Sequence, residues 1–393
     1  MTERLYYKDP GLFEFEGRIV RVEREGDRYV TVLDRSAFYP TSGGQLHDTG
    51  VLGGAEIVEV RESEEGDVLH VTPEPAGDVG QRVKGEIERE RRQRHRRQHT
   101  AQHILSAAFA NLYDLETVSV HLGEEYGAIQ FDTKVLTDEQ LTSAEDIANL
   151  TVLENSPVEI LFLDSEEVAR LPLRKPTART GAIRIIRIEG CDYSACGGTH
   201  VCSTGEIGLI KITGVEKARG HTLVRFLSGR QALSDYVERF SVTDHLSRNL
   251  TCAVADLPEK LGKMTAEIKE LKKQVREVQK ELLPVKAAKL AKNVHTRGQL
   301  KYIAEAVADV DPGVVGPLAT LAAELIEGLA VLCVGERLVL AVPETSNLHA
   351  GNLARELAKE TGLKGGGSNR QAQLGGAEPA RLHKYMEILL EAI

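Results

Sequence analysis

No apolar run in these 393 residues approaches the length of about 18 that a bilayer-spanning helix needs. A helical membrane anchor is therefore excluded. The opening stretch, Met1 to Phe13, carries no apolar core followed by a small-residue cleavage site, so a secretory leader is not expected and the cytoplasm is the expected compartment. Cysteine is scarce. Five residues, an odd and widely spread set, do not make a disulfide framework and leave buried, metal-bound or incidental thiols as the readings. There is no GxxxxGK[ST] phosphate loop, no internal repeat and no low-complexity tract.

What is present is ordinary in bulk and uneven in detail. Apolar residues make up 41% and charged residues 27%, and the length allows two or three domains with their own cores. The net charge of −10 argues against a nucleic-acid partner until its distribution is considered. Arg89, Arg91, Arg92, Arg94, Arg96 and Arg97 fall within nine residues, with Glu88 and Glu90 as the nearby acids. Such a run is either a solvated helix face or a basic patch, and screening over about 10 Å lets it act locally whatever the total charge.

The pattern along the chain predicts an α+β protein in four parts. Residues 1–85 hold short alternating runs (Gly17–Glu23, Tyr29–Leu33, Val68–Val71) that predict a small β-barrel-like domain or sandwich. Residues 86–240 begin with a helix over 86–113, its apolar face made by Ile104, Leu105, Ala108, Phe109 and Leu112, and continue as mixed helix and strand, with Ile183–Ile188 and Gly208–Ile212 as strands. Residues 241–298 form a helical linker. Within it Leu257, Leu261, Met264, Ile268, Leu271, Val275, Val278 and Leu282 alternate in steps of four and three, a coiled-coil seam over a long helix from 245 to 283, with Pro284 ending its cleanest part. The seam could pair with a second copy or fold back within the chain. Residues 299–393 predict an α/β unit with a hairpin from Ala330–Val334 and Leu338–Val342, then the glycine-rich Lys364–Ser368 and Gly375-Gly376.

Two motifs carry chemistry. His99 and His103 lie four apart on a predicted helix, which puts both imidazoles on one face. Far downstream, Cys196 and His200 are also four apart, on a turn containing two glycines. One thiolate with three imidazoles suits zinc better than the oxygen-seeking calcium or magnesium. His95 lies four residues before His99 and could compete as a ligand, but reads better as a surface histidine of the arginine run. Cys191 and Cys202 read as core or spectator thiols.

These residues also carry a resemblance. His-Thr-Ala-Gln-His at 99–103, with Cys-Gly-Gly-Thr-His-Val-Cys-Ser-Thr-Gly-Glu-Ile-Gly from 196, resembles the editing domain of alanyl-tRNA synthetase and of its free-standing relatives, the AlaX family. Ala37 to Gly50 resembles the stretch of the synthetase barrel ahead of that domain, and the helical linker with Lys364–Gly376 resembles its C-terminal DHHA-type domain. The likeness runs over nearly the whole chain, in the family's order. With no class II activation domain or tRNA-recognition region ahead of the barrel-like strands, it implies a long-form AlaX protein without aminoacylation activity.

The resemblance implies a trans-editing hydrolase. The substrate would be mischarged tRNA(Ala), carrying serine first and glycine as second candidate, and the cofactor one Zn2+ per chain held by His99, His103, Cys196 and His200. Four ligands would fill a tetrahedral site, whereas catalytic zinc usually keeps a position open. Five-coordination, replacement of one ligand by water and a purely organising metal are the open alternatives. Counting from the HxxxH motif, Ser119 falls near the family's polar discriminating position. Thr100 and Asp192 are further candidates, and each could equally be a cap or a surface residue. The Ser42-Gly43-Gly44-Gln45 loop is expected near substrate or to be a tight turn. Arg92, Arg96 and Arg97 are expected to hold tRNA backbone, and Gly365, Gly366 and Gly367 to bring backbone N–H groups to phosphates or to form a plain loop. A homodimer through the coiled coil or the C-terminal domain is a further expectation, with no membrane partner. The competing reading is a non-catalytic tRNA-binding protein with a structural zinc; a phosphoesterase is weaker, because the aspartate/histidine-rich metal half that usually accompanies the C-terminal domain is not evident.

Overall fold

In the structure, a computed structural model, residues 1–178, 180–218 and 220–393 are described, Ala218 by its backbone alone. The chain divides into two compact units, Met1–His245 and Leu246–Ile393, and helices and strands are mixed in both. No helix among the described residues is long and apolar enough to cross a membrane.

The first unit opens with seven strands paired edge to edge in the order Ala55–Ile57, Gly50–Leu52, Arg82–Ile87, Glu14–Glu25, Arg28–Leu33, Val68–Thr72 and Glu59–Glu62. Among the described residues no ladder joins the two edge strands. The alternation that predicted these strands is the alternation of burial. Phe15 and Ile19 of one strand meet Leu33, Leu52, Val60 and Val83 in a shared core.

From Glu88 the chain enters the central helix, Arg89–Tyr113, which runs three residues short of its expected start. Its apolar stripe, Ile104, Leu105, Ala108 and Phe109, packs on Leu122, Ile129, Phe131, Val224 and Phe226 of a four-stranded sheet ordered Thr117–Leu122, Gly127–Phe131, His221–Ser228, Ile210–Ala218. Leu112, expected in that stripe, is exposed near the helix end. A helix Asp138–Leu153, started by a capping box of Thr137 and Gln140, lies against the same core. A three-stranded sheet, Val158–Leu163, Ile183–Ile188 and Asp192–Ala195, brings the cysteine loop to the central helix.

The second unit is a six-stranded sheet covered on both faces. That explains the unbroken apolar runs at Leu329–Val334 and Leu338–Ala341: Leu329, Val331 and Cys333 pack on one helical layer, Ala330, Leu332 and Val334 on the other. The predicted hairpin is there, Ala330 to Ala341 in antiparallel register. The long helix differs from expectation. One helix ends at Leu250, a break with Thr251 at φ 51° follows, and a second helix spans Leu257–Glu281. Leu282 separates it from a short helix, Leu283–Leu290, with Pro284 in its first turn, where no N–H is needed. Leu261, Met264, Ile268, Leu271, Val275 and Val278 are all exposed along the second helix. Lys364–Gly367, expected as a loop, is an edge strand paired with Gln371–Gly375. Side chains at Gly365 and Gly367 would run into the neighbouring strand's backbone, so these glycines serve close strand packing.

Candidate metal centre and its cleft

The two motifs meet. Ligand atoms of His99, His103, Cys196 and His200 all lie within 4.8 Å of one another. The helix supplies two imidazoles one turn apart, and the Asp192–Ala195 strand delivers the loop carrying the other two groups. Cys196 Sγ lies 3.4 Å from Nε2 of both His99 and His200. Gly198 makes the approach possible: a Cβ there would sit 2.1 Å from Cε1 of His99, so the ring occupies the space a side chain would take.

Each imidazole is held through its other nitrogen. Gln45 Oε1 lies 2.8 Å from His99 Nδ1 and also accepts from Thr199 N–H, while Gln45 Nε2 donates to Thr199 Oγ1. Asp192 Oδ2 lies 2.8 Å from His103 Nδ1, and Thr100 Oγ1 3.1 Å from His200 Nδ1. Asp192 is held in turn by Arg174 Nε and Ser194 Oγ, which both donate to it. This is the outer arrangement that metal-ligating histidines use, leaving every Nε2 for an ion. The soft donor set and three pre-oriented imidazoles fit zinc.

The electrostatics agree. Burial alone would raise the Cys196 thiol, but the charges and hydrogen bonds of His99, His103 and His200 outweigh it and hold the pKa well below 9.0, favouring thiolate. Burial opposes charge on His103, yet Asp192 and Cys196 raise it to about 9 without a metal. Burial would raise Asp192, but His103 and Arg174 bring it down to about 2.

His99, His103 and Cys196 line a cleft of about 610 Å³, with His200 buried beside them. Arg4 and Tyr7 line it from the amino-terminal segment, Tyr39, Ser42 and Gly43 from the loop between Ser36 and Gly50, Thr117 to Val120 from another strand, and Arg174 to Thr177 from a loop. A volume of this order suits a small organic group.

Several expected site residues stand elsewhere. Thr100 is fully buried, its hydroxyl donating to Arg96 O and accepting from Val201 N–H, and Asp192 lies behind His103; neither lines the cleft. Ser119 does line it, with its hydroxyl donated to Gln130 Oε1. Of the Ser42–Gln45 loop, Ser42 and Gly43 face the cleft and Gln45 is buried behind His99. Gly44, at φ +85°, touches Val120 O so closely that a side chain could not fit.

The arginine run is corrected more sharply. Arg92 is 0% exposed; its guanidinium binds both oxygens of Asp48 and donates to Pro10 O and Ala37 O. Arg96 is buried and donates to His200 O and Cys202 Sγ. Neither can reach RNA. Helical spacing carried that signal, since 92, 96, 99 and 103 share a face. Arg97 donates to Glu206 O and stays partly exposed. His95, expected at the surface, is buried with no partner for either ring nitrogen among the described residues. Burial, then the charges of Arg91, Arg94, Arg92 and His99, push it down to about 3, so it is neutral. Cys191 is partly buried against the core and Cys202 is exposed.

Comparison with known proteins bears on this centre. Residues 183–226 match the family model described as the threonyl and alanyl tRNA synthetase second additional domain. The alanyl-tRNA editing protein AlaX-L of Pyrococcus horikoshii is 30% identical over 414 residues, covering 100% of this chain and 98% of that protein. The alanine–tRNA ligase of Archaeoglobus fulgidus is 34% identical over 393 residues, covering 96% of this chain but 42% of the ligase. The chain thus spans about two fifths of the length of such ligases. Among solved structures, the C-Ala domain of Aquifex aeolicus alanyl-tRNA synthetase aligns at 21% identity over 25% of this chain and 95% of that one, at a TM-score of 0.23.

Proposed function

The chain belongs to the long-form AlaX family of alanyl-tRNA editing proteins, and from that premise we propose that it is a zinc-dependent hydrolase that removes wrongly attached amino acids from tRNA(Ala) in trans. The observation that carries this reading is the cluster of three outer-held imidazoles and one thiol beside a cleft large enough for a small ester, which three of the four residues line. Its substrate is the aminoacyl ester of the terminal ribose, seryl first and glycyl second.

His99, His103, Cys196 and His200 hold the metal. When bound there, zinc would polarise an ester carbonyl and lower the pKa of a water towards about 7. The protein supplies the rest. Gln45, Asp192 and Thr100 fix the three rings, and Asp192 keeps its proton-bearing partner, His103 Nδ1, facing away from the ester. Tyr7, Tyr39 and Val120 wall the cleft.

The expected four-part division, 1–85, 86–240, 241–298 and 299–393, assigns the deacylase to the second part, with the first supplying a cleft wall. For the RNA backbone, a second cleft of about 730 Å³ lined by Arg89, Arg94, Arg97 and Arg230 replaces Arg92 and Arg96 as the docking surface, though Glu88, Glu90 and Glu125 also line it. Self-association through the exposed seam of Leu257–Glu281 is part of the proposal, and sedimentation tests it.

Deacylation of Ser-tRNA(Ala), with zinc measured on the same sample, tests the reading. The native protein is expected to carry one zinc and release serine, and His103→Ala to lose both. Undiminished tRNA binding by a native protein with no deacylation would instead favour the non-catalytic escort.

A further inference from the structure

Gln102 stands between the two helical ligands and takes no part in holding them. It is 4% exposed and lines the cleft together with His99 and His103. Its carboxamide is fixed at one end: Nε2 donates to Ser106 Oγ at 2.8 Å, and Thr117 Oγ1 donates to the same oxygen at 2.9 Å. The next helical turn and the facing strand together hold the side chain. The other end is unused. Gln102 Oε1 has no hydrogen-bond partner among the described residues, and it is not among the fully buried atoms that lack one, so it is reached from the cleft. Of the other polar groups expected to read the amino acid, Thr100 and Asp192 do not line the cleft, being turned to Arg96 and His200 and to His103 and Arg174. Ser119 lines it with its proton already given to Gln130, but on an exposed side chain that is less fixed than Gln102.

We propose that Gln102 is a specificity-determining residue whose carboxamide oxygen accepts a hydrogen bond from the side-chain hydroxyl of the bound aminoacyl ester. The inference rests on the editing reading above. A rigid, nearly buried acceptor is costly to leave unpaired once the cleft is filled. A seryl ester pairs it, whereas alanyl and glycyl esters leave it dry and empty. A site that reads a hydroxyl this way rejects the analogue lacking it far more strongly than an apolar pocket could. The order of preference is therefore seryl well above glycyl, with alanyl spared.

The test compares kcat/KM of the zinc-loaded protein on Ser-, Gly- and Ala-tRNA(Ala) for the native chain, Gln102→Leu and Gln102→Glu. Gln102→Leu is expected to lower the seryl value by about tenfold to a hundredfold and to leave the glycyl value within about twofold, with zinc content and unfolding temperature retained. Gln102→Glu, which keeps an acceptor oxygen, is expected to recover part of the seryl preference. If the native protein cleaves none of the three esters, the editing reading itself falls. If it prefers serine and Gln102→Leu keeps that preference, the role of Gln102 is overturned while editing stands. Loss of zinc in Gln102→Leu would make the residue a support of the ligand helix and also overturn the proposal.

Discussion

At the residue scale, the three imidazoles are held by an amide, a carboxylate and a hydroxyl, and the carboxylate is itself gripped by Arg174. Replacing Asp192 by Asn keeps the shape but removes the charge that orients His103. Zinc affinity is expected to fall by about 10- to 100-fold, read by competition with a chelator of known strength. Gly198→Ala places a methyl inside the His99 ring, so zinc binding and deacylation should both be lost while the fold survives. His70 makes a different prediction. It is buried against Ser36 and Thr31 O, and burial lowers its pKa to about 4. The unfolded chain, at about 6.5, therefore binds the extra proton first as pH falls. This contribution to stability is present above pH 6.5 and is lost progressively between 6.5 and 4, by about 3 kcal/mol. Denaturant midpoints across that window should fall for the native chain and much less for His70→Gln. The four ligands were legible from two spacings of four, because one turn of helix or a tight loop makes them neighbours. Their outer partners were not: Gln45 lies 54 residues from His99 and Asp192 lies 89 from His103, distances over which no local periodicity reports.

At the scale of elements, the central helix does two jobs on opposite turns. Its second half packs an apolar stripe on the four-stranded sheet, and its first half drives arginines into the protein. The Arg92–Asp48 pair is fully buried, and the guanidinium also satisfies two backbone carbonyls. Removing one partner of such a pair typically costs about 3–5 kcal/mol. Arg92→Met should therefore lower the unfolding free energy by that order, measured in urea, without changing affinity for tRNA at saturating stability. Composition misled here. A dense arginine run looks like a nucleic-acid surface, and only its helical phase separates the inward positions 92 and 96 from the outward 94 and 97. The outward set has its own test: Arg94→Ala with Arg230→Ala should weaken tRNA binding and reduce the salt slope by about one per lost phosphate contact. The strands of the second unit were legible because a sheet covered on both faces needs unbroken apolar runs. The glycine strand at 364–367 was not, since glycine signals turns far more often than a sheet edge.

For the molecule as a whole, the two compact units meet in sequence at His245 and Leu246, within a single helix. All four candidate ligands belong to the first unit. A chelator should accordingly lower the unfolding temperature of one transition in calorimetry and leave the other in place, because an ion that binds only folded protein stabilises only the part that holds it. A single transition moving as one block would contradict this. The net charge of −10 hid a locally basic helix, and the overall sum carried little information about partners.

The grip of Gln45 on His99 and Thr199 ties the candidate metal centre to the loop that joins Ser36 to Gly50. The His99 ring is aimed by a residue more than fifty positions earlier, on a loop that also pairs with Leu122 of the next sheet. Without that loop in place, nothing else among the described residues holds Nδ1 of His99. On the proposed zinc reading, metal uptake would then gauge whether the segment between Ser36 and Gly50 has reached its place. Chains in which that segment fails to dock would, on the same reading, collect as a metal-poor fraction.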